Sequence, residues 1–185
     1  MKKCKNCKSP FSPRFSPLER FCWAVECKSM EAMEKLRQIK AYTAKKQKER
    51  LKTMKTELMT VQQWASKAQA SFNRFIRLRD ESKGCVSCGV SLIGKKFDAG
   101  HFYNANNHWS LRFDEANVHA QCVKCNRDLH GNLLEYRQRI VERIGAKELE
   151  RLEMEASATR KYTRDELRDI DQKYRLRCKT YCKKD

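Results

Sequence analysis

A chain of 185 residues is long enough for one compact domain with an accessory piece and too short for two large cores. Its 41 lysines and arginines stand against 23 acidic residues, a formal charge of +18 that concentrates polyanions through counterion release and steering and puts nucleic acid first among partners. No apolar run approaches the roughly 20 residues that span a bilayer, and no lipidation signal appears, so a membrane partner is not expected.

The opening MKKCKNCKSP is basic but no apolar stretch follows, so it does not read as a secretory signal, and the cytoplasm is the expected compartment. Ten cysteines in reducing surroundings are expected to be ligands or thiols rather than disulfides. Cys4-x2-Cys7 with Cys22-x4-Cys27 reads as a small zinc ribbon over residues 1–27, because the short proline-bearing segment has little else to order it.

Residues 28–57 hold ten basic and four acidic side chains among good helix formers, with no glycine or proline. A solvated basic linker helix over 28–59 is expected, with an arm along DNA phosphates as the alternative. Thr60 and Gln63 then form a capping box, and Trp64, Ala68, Phe72, Phe75 and Ile76 fall on one helical face. That spacing favours core packing over base stacking.

All six glycines lie between Gly84 and Gly145, which marks a loop-rich centre where KKFDAGHF and LRFDEANVH suit a hairpin. A helix is expected to begin near Cys125 and run through DLHGNLLEYRQRIVERI, accommodating its one glycine. Thr163 and Glu166 cap a last helix carrying Leu167, Ile170 and Tyr174. The expected organisation is therefore ribbon 1–27, linker 28–59, core 60–145 and terminal helices 146–185.

In the core, Cys85-x2-Cys88 and Cys122-x2-Cys125 are separated by 33 residues. Two such knuckles let four thiolates converge on one tetrahedral structural zinc. A zinc saturated by four cysteines has no open position, so any chemistry must come from neighbouring residues and a second metal. Cys178 and Cys182 are left over and read as free thiols.

Those neighbours run DAGHF and then EANVHAQCVKCN. Their order resembles the His-Asn-His (HNH) nuclease motif on a zinc-stapled treble clef: His101 matches the first histidine, Asn117 the middle asparagine and Asn126 the last position. Asparagine in that last place is a variation found in the phage endonuclease VII type of junction-cutting enzyme. More widely, the N-terminal quartet, basic helix, DAGH, SLRFDEANVHAQC, CN and GNLLEYR resemble the lambdoid-phage NinG (Rap) recombination endonucleases across nearly the whole chain.

The resemblance implies an α+β, mainly helical fold with a ββα-metal HNH core. It also implies a structure-specific DNA endonuclease cutting Holliday junctions and D-loops in phage homologous recombination by metal-dependent phosphodiester hydrolysis. In that reading His101 is the general base, Asp98 and Asn126 bind Mg2+ or Mn2+, and His130, four residues after Asn126, is a further ligand candidate. Asn117 fixes the loop that holds His101. His119 is either a structural histidine or part of the site, His108 an exposed loop residue, and Lys95, Lys96, Arg112 and Arg127 are candidate phosphate contacts.

The chain departs from the broader motif, which places the carboxylate directly before the base, where Gly100 stands here. In a regular strand Asp98 and His101 point to opposite faces, so a bulge at Ala99 and Gly100 is expected if both serve one site. Two other readings compete: a non-catalytic zinc-dependent DNA-binding protein and a sequence-specific HNH nuclease. Junction resolution needs two cuts, so a homodimer is expected, with phage or host recombination proteins as further partners to consider.

Overall fold

The computed structural model describes residues 1–182, which are mainly helical with two small antiparallel sheets. Among these residues no helix is long and apolar enough to cross a membrane. The chain divides into two compact units, Met1–Leu58 and the part from Met59 onward.

In the first unit, β1 (Lys2–Lys3) pairs with β2 (Pro10–Phe11), and α1 (Val25–Glu57) follows. The two-residue strands bury little, and the unit's apolar cluster is Phe11 and Phe21 with the cysteines. Helix α1 buries Cys27 alone among its described side chains, as a solvated basic helix should. Its N-cap, Ala24, offers no side-chain hydrogen bond, so Cys27 in the first turn anchors the helix start.

The second unit is built on α2 (Val61–Asp80), which begins at the reciprocal Thr60–Gln63 capping box. Trp64, Ala68, Phe72, Phe75 and Ile76 are all buried, the face that the sequence spacing marks. Against them lies α5 (Arg164–Tyr181), started by the Thr163–Glu166 box, with Leu167, Tyr174 and Cys178 buried. Cys178 is thus a buried thiol, its Sγ 3.9 Å from the carbonyl of Ser71, while Cys182 is exposed.

Across α2 sits a hairpin of β3 (Phe97–His101) and β4 (Val118–Cys122), followed by α3 (Leu133–Ile144) and α4 (Ala146–Glu155). The second strand lies later than LRFDEANVH implies: Leu111 closes a 3-10 turn, and the chain becomes extended only at Val118.

The helix expected from Cys125 does not run through. A turn of π-helix over Lys124–Asp128 stops, and His130, Gly131 and Asn132 have φ of 48°, 93° and 42° before α3 starts at Leu133. Consecutive left-handed residues cannot lie inside a right-handed helix. His130 is therefore not one helical turn above Asn126, and the geometry that made it a ligand candidate is absent.

Candidate functional site

The sulfurs of Cys85, Cys88, Cys122 and Cys125 all lie within 4.8 Å of one another, as do those of Cys4, Cys7, Cys22 and Cys27. A tetrahedral zinc with bonds near 2.3 Å requires sulfur separations of about 3.8 Å. Cys88 to Cys122 is 3.8 Å and Cys7 to Cys22 is 3.6 Å, so both groups fit the ion and can bind it. Backbone N–H groups already point at the sulfurs, from Cys122 to Cys85 (3.4 Å), Cys125 to Cys122 (3.4 Å) and Cys22 to Cys4 (3.2 Å). Burial opposes ionisation of Cys85, but the amides of Cys88, Cys122 and Ser87 outweigh it and hold the thiol at about 7.

The knuckles clamp a hairpin whose register is unbroken: Phe97 faces Cys122, Asp98 Gln121, Ala99 Ala120, Gly100 His119 and His101 Val118. No residue is unpaired in that ladder, so the bulge expected at Ala99 and Gly100 does not form. Strand alternation therefore puts Asp98, Gly100, His119 and Gln121 on one face and Phe97, Ala99 and His101 on the other.

The Asp98 face is rich in oxygen. Asp98 accepts from Arg127 twice, at 2.7 and 2.8 Å, and from Asn126 Nδ2 at 3.1 Å. The Arg127 guanidinium, helped by Asn126 and Arg77, holds the Asp98 carboxyl below the usual carboxylate range. Between Asp98 and His101 lies Gly100, where a Cβ would stand 2.1 Å from Gln121 Oε1 and 3.1 Å from Asn126 Oδ1. A side chain there would collide with Gln121 Oε1, so only glycine lets those two oxygens approach the strand. Gln121 is fully buried, and its Nε2 donates to Ser87 Oγ at 2.7 Å and to the carbonyl of Gly131. Because that carbonyl only accepts, the amide orientation is fixed and Oε1 must face Gly100, where it has no hydrogen-bond partner.

On the opposite face, half-buried His101 packs beside Phe72 of α2, their ring centroids 6.5 Å apart. Its Nε2 is 3.1 Å from the carbonyl of Arg112, an acceptor only. That contact assigns the proton to Nε2 and leaves the Nδ1 lone pair free. Burial pushes the His101 pKa down to about 4, so the ring is a neutral imidazole near pH 7.

Asn117 is fully buried and satisfied: Oδ1 accepts from Tyr103 N at 2.8 Å, and Nδ2 donates to the carbonyls of Tyr103 and Leu111 at 3.0 Å. It fixes the loop after His101 and touches nothing outside the protein. His119 is 3 % exposed, and its Nδ1 lies 3.2 Å from Tyr136 Oη, which donates to the carbonyl of Gly100 at 3.1 Å. Its place is structural, behind Gly100. His108 is half-buried rather than a free loop residue, with Nδ1 2.7 Å from the carbonyl of Ala156.

Of the expected phosphate contacts, Lys95 and Lys96 are exposed just before β3. Arg112 is not available: it is 6 % exposed, lies 4.9 Å from the Trp109 ring centroid and donates from Nε to Gln69 Oε1 at 3.0 Å. Its carbonyl orients His101, while its side chain packs the core. Arg127 is exposed but committed to Asp98. His130 is exposed.

Sequence reasoning missed Gln121, Tyr136 and Asp80. Asp80, fully buried at the end of α2, takes Arg79 at 2.8 and 2.7 Å and Ala120 N at 3.2 Å, while Arg79 reaches the carbonyl of Val118 at 2.8 Å. That cluster seats the hairpin on α2. Gln121 directly precedes a cysteine ligand, and only the strand register reveals that it shares a face with Asp98.

A family profile described as "Bacteriophage Lambda NinG protein" matches residues 1–184. Protein ninG of Escherichia phage 933W is 38% identical over 187 residues, covering 96% of this chain and 92% of the relative. Protein ninG of Salmonella phage P22 is 34% identical and that of Escherichia phage lambda 33% identical, each over 191 residues with the same coverage. No solved structure matches the chain.

Proposed function

The chain belongs to the NinG family of lambdoid phage, and from that premise we propose that it is an HNH-type, metal-dependent DNA endonuclease that cuts branched recombination intermediates such as Holliday junctions and D-loops. The observation that carries this reading is the convergence of Asn126 Oδ1 and the unpartnered Gln121 Oε1 on buried Gly100, where no side chain fits, next to Asp98, to which Asn126 donates. The hairpin, its knuckles and the turn bearing Asn126 are read as the treble-clef core of that nuclease type.

Hydrolysis needs a base for the attacking water and positive charge beside the leaving oxygen. Asp98 and Asn126, with Gln121 as a further oxygen donor, would hold Mg2+ or Mn2+, and the ion would supply the positive charge that hydrolysis needs. The regular ladder leaves His101 on the hairpin face opposite Asp98, so in this reading the strand end at His101 turns toward the Asp98 face when substrate binds, and Nδ1 then accepts the water's proton. Asn117 keeps the loop behind His101 rigid. Arg127 guards Asp98 in the free protein and turns to a phosphate oxygen on the substrate. The cysteine quartets take no part in the chemistry. Two cuts per junction call for a homodimer.

The test is cleavage of a synthetic four-way junction beside a matched linear duplex, with Mg2+ or with EDTA, by wild type, His101→Ala and Asn126→Ala. Branch-selective cutting that needs the divalent ion, and that both variants lose while still binding the junction, is expected. Binding without cutting under Mg2+ or Mn2+ leaves a zinc-dependent DNA-binding protein; cutting of the linear duplex at one sequence makes it a sequence-specific nuclease.

A further inference from the structure

The strongest unexplained feature outside the hairpin is a basic groove between α2 and α5. Lys67, Ala70, Ser71 and Arg74 of α2 follow the three-to-four spacing of one helical face, and Arg175, Leu176 and Lys179 of α5 form the facing wall of a space of about 840 Å3. Arg74 also lines the adjoining hollow, which continues past Arg77 to Lys95, Lys96 and Phe97. The two hollows share Arg74, and together their linings run from Arg175 and Lys179 of α5 to Phe97, the residue before Asp98.

We propose that this groove is the track on which the phosphodiester backbone of one duplex arm of the DNA lies, leading the strand to the Asp98 hairpin. The proposal rests on the reading of that hairpin as a nuclease site and adds where the substrate is held.

Three observations support it. The first is charge: among the described residues Arg74, Arg77, Lys95, Lys96 and Lys179 have no carboxylate within ion-pair distance. The acidic residue on the path is Glu81, exposed at the second hollow, against four cations there; Asp171 lies in a neighbouring hollow, 5 % exposed and engaged by Arg175 at 2.9 Å, by Ser71 and by Lys67 at 3.9 Å. Cations that a protein does not neutralise itself are the ones that release counterions when they meet phosphate. The second is length: Lys67 and Arg77 lie ten residues apart on α2, about 15 Å of helix axis, a rise over which one strand of B-form DNA carries roughly four phosphates. The third is direction: Arg77, Lys96 and Phe97 wall the second hollow, and Phe97 directly precedes Asp98, so the track ends beside the candidate site. No aromatic ring lines the groove floor between Lys67 and Arg74, which fits a backbone contact rather than stacked single-stranded bases.

The experiment measures binding of a fluorescein-labelled four-way junction and a matched linear duplex by anisotropy over a salt series, in EDTA so that no strand is cut. The track variant is Arg74→Ala/Arg77→Ala/Lys179→Ala. The control is Arg139→Ala/Lys147→Ala/Lys161→Ala, which removes the same unpaired charge from exposed positions on α3, α4 and the segment before α5. Thermal melts establish that both fold. The track variant is expected to flatten the log–log salt dependence by about three, roughly one per lost phosphate contact, and to weaken binding on the order of a hundredfold near about 0.15 M salt, for both DNAs alike. The control is expected to change little. Equal losses in the two variants would mean diffuse charge and no track. A wild type that binds and cuts junctions while the track variant binds as tightly sinks the groove alone; a wild type that binds neither DNA sinks the nuclease reading with it.

Discussion

Cys4, Cys7, Cys22 and Cys27 close on a segment whose buried apolar company is Phe11 and Phe21. Cys85, Cys88, Cys122 and Cys125 instead close beside Leu92 and Ala120 in a unit that has three further apolar clusters. The ligand chemistry is the same in both, but what surrounds it differs. In the first unit the sulfur cluster stands in for a core; in the second it clamps a hairpin to helices that pack without it. A structural zinc contributes an apparent free energy of about 10–16 kcal/mol, which is decisive for a ribbon of two-residue strands and only part of the total for the α2–α5 unit.

Metal removal tests this difference most strongly. A tight chelator should abolish protection of residues 1–27 in hydrogen exchange and fray α1 from Val25, because its first turn is held through Cys27. The α2–α5 pair should keep slow exchange while the 85–125 hairpin opens. A ribbon that stays protected without metal would erase the distinction. In the opposite sense, Phe72→Ala should cost about 3–5 kcal/mol of second-unit stability with zinc bound, since Phe72 is fully buried among Phe75, Ile76, Val118 and Tyr174. Denaturant unfolding followed at α2 and at the ribbon separately would read that loss in one unit only.

The sequence made the helices of the second unit legible because their signals are local. Thr60 with Gln63, Thr163 with Glu166 and the spacing of Trp64, Ala68 and Phe72 need no knowledge of what lies elsewhere in the chain. Both quartets were legible for the same reason, through knuckle spacing. The site was legible only in part. Asp98, Asn117 and Asn126 carry motif positions, but which face each side chain takes depends on pairing across residues 102–117, which no local rule supplies. That is why a bulge was expected where the register is regular, and why Gln121 went unnoticed. Arg112 looked like a surface cation because its partners, Gln69 and Trp109, belong to other elements. The break at His130 to Asn132 was hidden because only one of those three left-handed residues is glycine.

A smaller effect separates the units by pH. Burial pushes the His119 pKa down from 6.5 to about 3, with the Arg79 charge acting the same way. The unfolded chain therefore takes up a proton that the folded one refuses, and second-unit stability falls as pH drops below about 6.5. From about pH 6.5 to 5 the loss should be on the order of 2 kcal/mol, with His101, held at about 4, adding to it in the same window. His119→Gln should flatten that slope at constant zinc, compared with wild type at each pH. The first unit, Met1–Leu58, contains no histidine, so its acid sensitivity should come only through its zinc-binding thiolates and should be unchanged by His119→Gln. An unchanged slope in the variant would mean that acid acts through the thiolates instead.

Helix starts give the finest distinction. Helix α2 depends on a side-chain cap, with Thr60 Oγ1 accepting from Gln63 N at 3.2 Å and Gln63 Oε1 accepting from Thr60 N at 2.8 Å. Helix α1 begins at Ala24 with no such bond and relies on Cys27. Thr60→Ala should therefore cost about 1 kcal/mol of second-unit stability whether or not zinc is present. Ala24→Ser should slow fraying of α1 by up to a similar amount, and most visibly once zinc is removed, when the cap is the remaining local restraint on its first turn. If Ala24→Ser gains as much with zinc bound as without it, Cys27 is not the anchor, and the first unit's helix starts like any other.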